Sequence, residues 1–91
     1  MDTAISFLVR GRVQGVAFRA FVKSSAQQLG LKGWVKNDID GSVRGQVEGD
    51  QGLVIEFMKQ IRIGNRWSDV EALEEKVLPC SGEFTGFEIR Y

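Results

Sequence analysis

Residues 11–19, Gly11-Arg12-Val13-Gln14-Gly15-Val16-Ala17-Phe18-Arg19, separate two different hydrophobic periodicities. Before them, Ala4 to Arg10 alternates apolar and polar at Ile5, Phe7 and Val9, with Leu8 interrupting, and reads as a strand. After them, Phe18, Phe21, Val22, Ala26 and Leu29 recur at helical spacing over about residues 18–29. Gly30 stands where a helix C′ residue belongs, and Leu31 is placed to make the hydrophobic contact of a Schellman motif. The stretch 11–19 is therefore a glycine-bearing loop that passes from a strand directly into a helix.

Further along, Gly33–Asn37 and Ser42–Gly49 flank Asp38-Ile39-Asp40-Gly41, which reads as a β-hairpin closed by an Asp-Gly turn. Leu53, Val54, Phe57, Met58 and Ile61 form the stripe of a second amphipathic helix, about residues 51–62, closed by Gly64-Asn65. Residues 67–79 are ambiguous. Trp67, Val70, Leu73 and Val77 suit a helical stripe, which periodicity slightly prefers, but a strand with a bulge fits as well. Phe84 to Tyr91 alternates at Phe87 and Ile89 and reads as a terminal strand. With 67–78 as a strand, the order is βαββαβ plus a terminal strand. That is the ferredoxin-like α+β plan, an α/β sandwich with two helices on one face of an antiparallel sheet. The plan hosts many functions and by itself selects none.

At 91 residues with no internal repeat and no Pro- or Ser-rich linker, residues 1–91 are expected to form a single domain. Twelve basic and twelve acidic residues cancel, but unevenly. Residues 1–37 carry Arg10, Arg12, Arg19, Lys23, Lys32 and Lys36 against Asp2 alone, a net +5, so residues 38–91 carry −5. This balance argues against bulk binding of nucleic acid or membrane surface, while leaving room for a local anion site. Neither Lys32–Asn37 nor Arg44–Gly49 has the paired aromatics of an RNA-binding sheet, so no nucleic-acid partner is expected. No stretch approaches the ~20 apolar residues of a membrane span, and no membrane partner is expected. The chain has no His, which excludes Ser-His-Asp and Cys-His catalysis, and the HExxH and Cys2His2 metal sites. One Cys, Cys80, excludes an internal disulfide and a CxxC pair, and suits a reducing compartment such as the cytoplasm. No metal site and no cofactor are expected.

The loop 11–19 matches neither GxxxxGK[ST] nor GxGxxG. It offers successive N–H groups at a helix N-terminus, where the dipole and the unpaired donors favour an anion. Arg19, in the first helical turn, adds a guanidinium fork. Two readings stand on these grounds: an anion site, and a plain strand-to-helix turn with an exposed Arg. Asn37, at the end of a strand, likewise reads either as a turn former satisfying its own backbone or as an amide that orients a small polar molecule beside the anion. Trp34 and Trp67 read as packing residues, Cys80 as an incidental thiol, and Glu71, Glu74 and Glu75 as a solvated face.

Together, Gly11–Arg19, with its pattern G-x-V-Q-G-V-x-F-R, and Gly33–Gly49, with G-aromatic-V-K-N, three residues, G-x-V, five residues and G, resemble the two signature segments of the acylphosphatase family. The ending Phe87–Tyr91 is similar to the family's last strand, and the likeness covers nearly the whole chain. The resemblance implies the ferredoxin-like sandwich, and hence a strand over 67–78. It implies hydrolysis of the mixed anhydride of a carboxylic acid and phosphate, with a small-molecule acyl phosphate as substrate, inorganic phosphate as product and a monomer as the working unit. The phosphate-binding arginine then falls on Arg19. The phosphate-cradling backbone falls on Gln14, Gly15, Val16, Ala17 and Phe18, and the water-holding asparagine on Asn37. The alternative within the same fold is a non-catalytic module that binds phosphate or a phosphoprotein; it has no need of a water-orienting Asn. The chain departs from the family in two places. Ile63-Gly64-Asn65-Arg66-Trp67-Ser68 replaces a Gly-Pro-rich turn, a change expected to affect the loop and packing more than the site. Ala20 follows Arg19 where an aromatic or larger residue is common, which bears on acyl-group preference.

Overall fold

The computed structural model describes residues 1–91. The elements run β1 (Asp2–Arg12), α1 (Phe18–Gln28), β2 (Lys32–Asn37), β3 (Val43–Asp50), α2 (Gln51–Ile63), β4 (Asp69–Leu78) and β5 (Phe87–Arg90). This is the βαββαβ-plus-strand order. Five strands form one sheet in the order β4-β1-β3-β2-β5, with both helices packed on it. The β1–β4, β1–β3 and β2–β3 pairings are antiparallel, as expected, but β5 runs parallel to β2, so the sheet is mixed. The cause is the route of the chain. β4 and β5 occupy opposite edges, and residues 79–86 carry the chain past the end of the sheet between them. The Glu48 carboxylate on β3 ties down that crossing by accepting from Ser81 N–H (2.7 Å), Ser81 Oγ (3.3 Å) and Gly82 N–H (2.9 Å).

Alternation in β1 sends Ile5, Phe7 and Val9 into the core, where they meet Val22 and Ala26 of α1 and Val54, Phe57 and Ile61 of α2. Phe57 is the central contact: its ring stands 5.7 Å from Phe7 edge-on and 6.0 Å from Phe87. A Cβ on Gly45 would collide with the Trp34 carbonyl oxygen and come within 2.5 Å of the Phe7 ring, so the strand pairing and Phe7 together leave no room for a side chain here. α1 ends as its sequence indicates. Gly30 takes φ +68°, its N–H reaches Gln27 O, and Leu31 N–H reaches Ala26 O, the two bonds of a Schellman motif. α2 begins at Asp50, whose side chain accepts from Leu53 N–H, and ends at Gly64.

Residues 69–78 are a strand with a bulge. Arg10 pairs with Ala72 and Gly11 with Val70, which leaves Glu71 unpaired. Glu71, Glu74 and Glu75 are exposed, and Glu74 meets Arg10 at 3.3 Å. Trp34 is half-buried under the Arg90 guanidinium, whereas Trp67 departs from its packing role. Trp67 is 59% exposed, in the turn between α2 and β4, with Arg66 stacked on it. No helix is long and apolar enough to cross a membrane.

Candidate active site

The loop after β1 starts α1 in an unusual way. Gly15 takes φ +74° and Ala17, the N-cap residue, takes φ 58° and ψ 25°, a left-handed conformation that a residue with a Cβ adopts at a cost. No side chain caps the helix and no acid lies in its first turn. The first helical bond is Phe21 N–H to Ala17 O (3.1 Å), so the N–H groups of Phe18, Arg19 and Ala20 have no acceptor within the helix. Free donors and an uncompensated dipole therefore point out of the end of α1 toward whatever occupies the loop.

Gly15, Ala17, Phe18, Arg19 and Asn37 line one cavity of about 250 Å³, together with Val13, Ala20, Ile89 and Tyr91. The Arg19 guanidinium lies over the Tyr91 ring, 4.9 Å from its centre. Asn37 is the last residue of β2, and its Oδ1 is buried without a hydrogen-bond partner in the chain. An orphaned acceptor is costly in a fold that satisfies most of its polar groups, and the side chain that carries it lines a cavity with a cation and free N–H donors.

Gln14 and Val16 do not line the cavity. The Gln14 side chain points the other way, where Nε2 donates to the carbonyls of both Asp38 (2.8 Å) and Ser42 (2.9 Å). Those residues already close the hairpin turn through Asp38 N–H to Ser42 O and Gly41 N–H to Asp38 O. Ser42 also donates its hydroxyl and N–H to Asp40, which holds the Asp40 carboxyl below its ordinary range, with Arg10 adding to the effect. Gln14 thus ties the loop to the turn that follows Asn37. Val16 is held through its carbonyl, which accepts from Asn65 Nδ2 (2.8 Å). The turn after α2 therefore reaches the 14–18 loop through the Val16 carbonyl.

The side chains of Asn65 and Tyr91 and the tie made by Gln14 were not identified from sequence. Asn65 is 49 positions from Val16 in the chain, and no local pattern marks such a contact. No group of three or more Cys, Asp and Glu side chains converges to hold a metal ion. Cys80 is exposed and unpaired; desolvation by its immediate neighbours and the carboxylates of Glu48 and Asp2 push its thiol up, which leaves little thiolate at neutral pH.

A larger hollow of about 350 Å³ lies on the uncovered face of the sheet among Ser6, Leu8, Trp34, Arg44, Gln46 and Lys76. There Arg44 already pairs with Asp38, and Glu74 with Arg10, and no helix N-terminus opens into it.

Residues 5–89 match the family model described as acylphosphatase. The chain is 46% identical over 84 residues to an acylphosphatase of Moorella thermoacetica, covering 92% of this chain and 89% of that protein. It is 41% identical over 83 residues to an acylphosphatase of Bacillus pumilus, covering 91% and 92%. Its fold superposes on the crystal structure of acylphosphatase from Bacillus subtilis with a TM-score of 0.94 at 34% identity, covering all of both chains.

Proposed function

The chain belongs to the acylphosphatase family and hydrolyses acyl phosphates to a carboxylate and inorganic phosphate; we propose that Arg19 and the loop 14–18 hold the phosphoryl group while Asn37 aims the attacking water. The observation that carries this reading is the shared cavity, which the Arg19 cation, the open end of α1 and the Asn37 side chain all line.

The chemistry asks little more of the protein. The leaving group is a carboxylate, whose conjugate acid titrates near pH ~4–5, so it departs without being protonated. The transition state is loose, so the water need not be deprotonated beforehand. Position and charge stabilisation remain to be supplied. Arg19 forks two phosphoryl oxygens, and backbone N–H groups of the 14–18 loop, those of Ala17 and Phe18 at the cavity wall among them, bind the same group. The Asn37 side-chain amide at the cavity wall holds the water and turns an oxygen lone pair toward phosphorus. The water oxygen bonds to phosphorus as the bond to the acyl oxygen breaks, and the bonding pair leaves with the carboxylate. The water's proton passes to the phosphate formed or to solvent. Asn37 is neutral and orients the water without acting as a strong base. No step calls for a metal or cofactor.

The basic excess of residues 1–37 draws the anionic substrate toward this end of the molecule. We take the working unit to be a monomer of a single domain, because one core is closed within the chain. We place it in the cytoplasm because its one thiol is free.

The test is release of inorganic phosphate from benzoyl phosphate in the presence of a chelator. The wild-type protein turns over, and Arg19→Ala, folded by circular dichroism, does not. Full activity in Arg19→Ala removes the arginine from the mechanism, and loss of wild-type activity with chelator removes metal independence.

A further inference from the structure

We propose that Asn65 is a positioning residue for the reaction: by holding the Val16 carbonyl, it fixes the Val16–Ala17 peptide so that the Ala17 N–H faces the phosphoryl group. The inference rests on the phosphate-loop reading above.

A trans peptide carries its C=O and N–H on opposite sides of a rigid plane, and no peptide bond in this chain is cis. The Val16 carbonyl accepts from Asn65 Nδ2 at 2.8 Å. The N–H of the same peptide, which belongs to Ala17, must then point away from Asn65. Ala17 lines the cavity and Val16 does not, so the side away from Asn65 is the side of the cavity. The left-handed conformation of Ala17 makes the restraint necessary. For a residue with a Cβ this conformation lies above the ordinary helical and extended wells. Turning the Val16–Ala17 peptide over, by changing Val16 ψ and Ala17 φ together, relieves that strain and takes the N–H out of the cavity. The bond from Asn65 opposes the turn.

Asn65 itself is firmly placed. Its N–H donates to Ser68 Oγ (3.0 Å), and its carbonyl accepts from Ser68 Oγ (3.1 Å) and Ser68 N–H (3.2 Å). Its amide orientation follows from the Val16 contact, since an oxygen in place of Nδ2 would face the Val16 carbonyl oxygen without a hydrogen between them. The remaining atom, Asn65 Oδ1, is buried with no partner, so the side chain accepts an unmet acceptor in exchange for holding Val16.

The test uses the full chain with Asn65→Ala and Asn65→Asp. For each variant we would measure KM for benzoyl phosphate, the competitive inhibition constant of inorganic phosphate, and the Ala17 amide proton shift on adding phosphate. Asn65→Ala is expected to raise KM and the inhibition constant by about three- to tenfold, the size of one ordinary hydrogen bond. Asn65→Asp, nearly the same shape, is expected to be worse than Ala at neutral pH, where it faces a carbonyl as an acceptor only. It is expected to recover as the pH falls and protonation supplies a donor. The wild-type Ala17 amide proton moves downfield with phosphate, and in Asn65→Asp at neutral pH it does not. Wild-type phosphate inhibition and a wild-type downfield movement of the Ala17 amide proton with phosphate in Asn65→Asp overturn the proposal, as does an Asp variant with no recovery in acid. If Arg19→Ala also inhibits and turns over normally, the phosphate-loop reading itself has failed. If Arg19→Ala is inactive while Asn65→Asp is normal, only the role of Asn65 has.

Discussion

The Arg19 guanidinium rests 4.9 Å from the centre of the Tyr91 ring, so the one cation in the cavity is held against an aromatic face without an acidic partner. A carboxylate in that place would hold Arg19 more strongly, but it would also neutralise the charge on which the proposed phosphate contact depends and repel an anionic substrate. An aromatic face orients the guanidinium through its quadrupole and leaves its N–H fork free. Tyr91→Ala is expected to raise KM for acyl phosphates by about two- to fivefold, equivalent to ~0.5–1 kcal/mol for an exposed cation–π contact, with kcat little changed. Tyr91→Phe, which keeps the ring, is expected to match the wild type. Steady-state kinetics on the two variants decides it, and equal losses in both would assign the effect to the hydroxyl.

Asn37 presents the opposite balance, with an acceptor left unmet inside the fold. Its Oδ1 has no partner in the chain, which costs stability that a purely structural residue would not. Asn37→Ala is expected to lower kcat by about 10²-fold or more through a misaimed water, while the melting temperature stays level or rises. Asn37→Asp keeps the acceptor but sets a negative charge beside the phosphoryl group, so KM is expected to rise together with the loss in kcat. Thermal melts alongside kinetics check this. A destabilised and still active Asn37→Ala protein would make the residue an ordinary turn former.

Gln14 links the two halves of the site. Its amide spans the carbonyls of Asp38 and Ser42, fixing the turn that follows Asn37 relative to the loop that leads to Arg19. Gln14→Ala removes two part-buried bonds and is expected to destabilise the fold by about 1–2 kcal/mol. It is expected to reduce kcat about tenfold while inhibition by phosphate changes little, because the cradle survives and only the placement of Asn37 loosens. Gln14→Glu turns a double donor into an acceptor facing two carbonyls and is expected to be the more damaging. Denaturant unfolding and phosphate inhibition measured on both variants separate the two effects.

These ties show which parts of the molecule were legible in the sequence. Gly30 and Leu31 specify a helix end through bonds no longer than a turn, so the Schellman motif was readable directly. The loop and Arg19 were readable because they are contiguous, and Asn37 because it ends a strand in a recognisable segment. Residues 67–79 misled periodicity for a physical reason. Val70 and Leu73 both pack toward the core though three apart, because the bulge at Glu71 consumes one residue between them. A bulge thereby imitates a helical step. β5 offers four residues and no local sign of its direction, so its parallel pairing with β2 followed only from the path of the chain. Gln14 to Asp38 and Asn65 to Val16 join segments 24 and 49 residues apart, and each depends on the finished sheet to bring its partners together.

The Glu48 clamp gives the fold a pH dependence that can be signed. The Ser81 N–H, the Gly82 N–H and the Ser81 hydroxyl bind its ionised form, with Lys32 nearby, and against the opposing cost of burial they hold the carboxyl below its ordinary range. A carboxyl lowered in the folded state contributes stability that is fully present above its unfolded value of about 4.5 and is lost as the pH falls through the folded value. Glu48→Gln replaces one accepting oxygen with a donor facing the N–H groups of the crossing. It is expected to cost about 1.5 kcal/mol at pH 7, the lower end for a charge-assisted bond, because Ser81 and Gly82 are exposed and water takes their freed donors. On acidification from pH 5 to pH 3 the wild type is expected to lose stability more steeply than Glu48→Gln, so that the two converge. Urea unfolding across that range measures the gap, and a constant difference at every pH would mean that Glu48 acts by shape and not by charge.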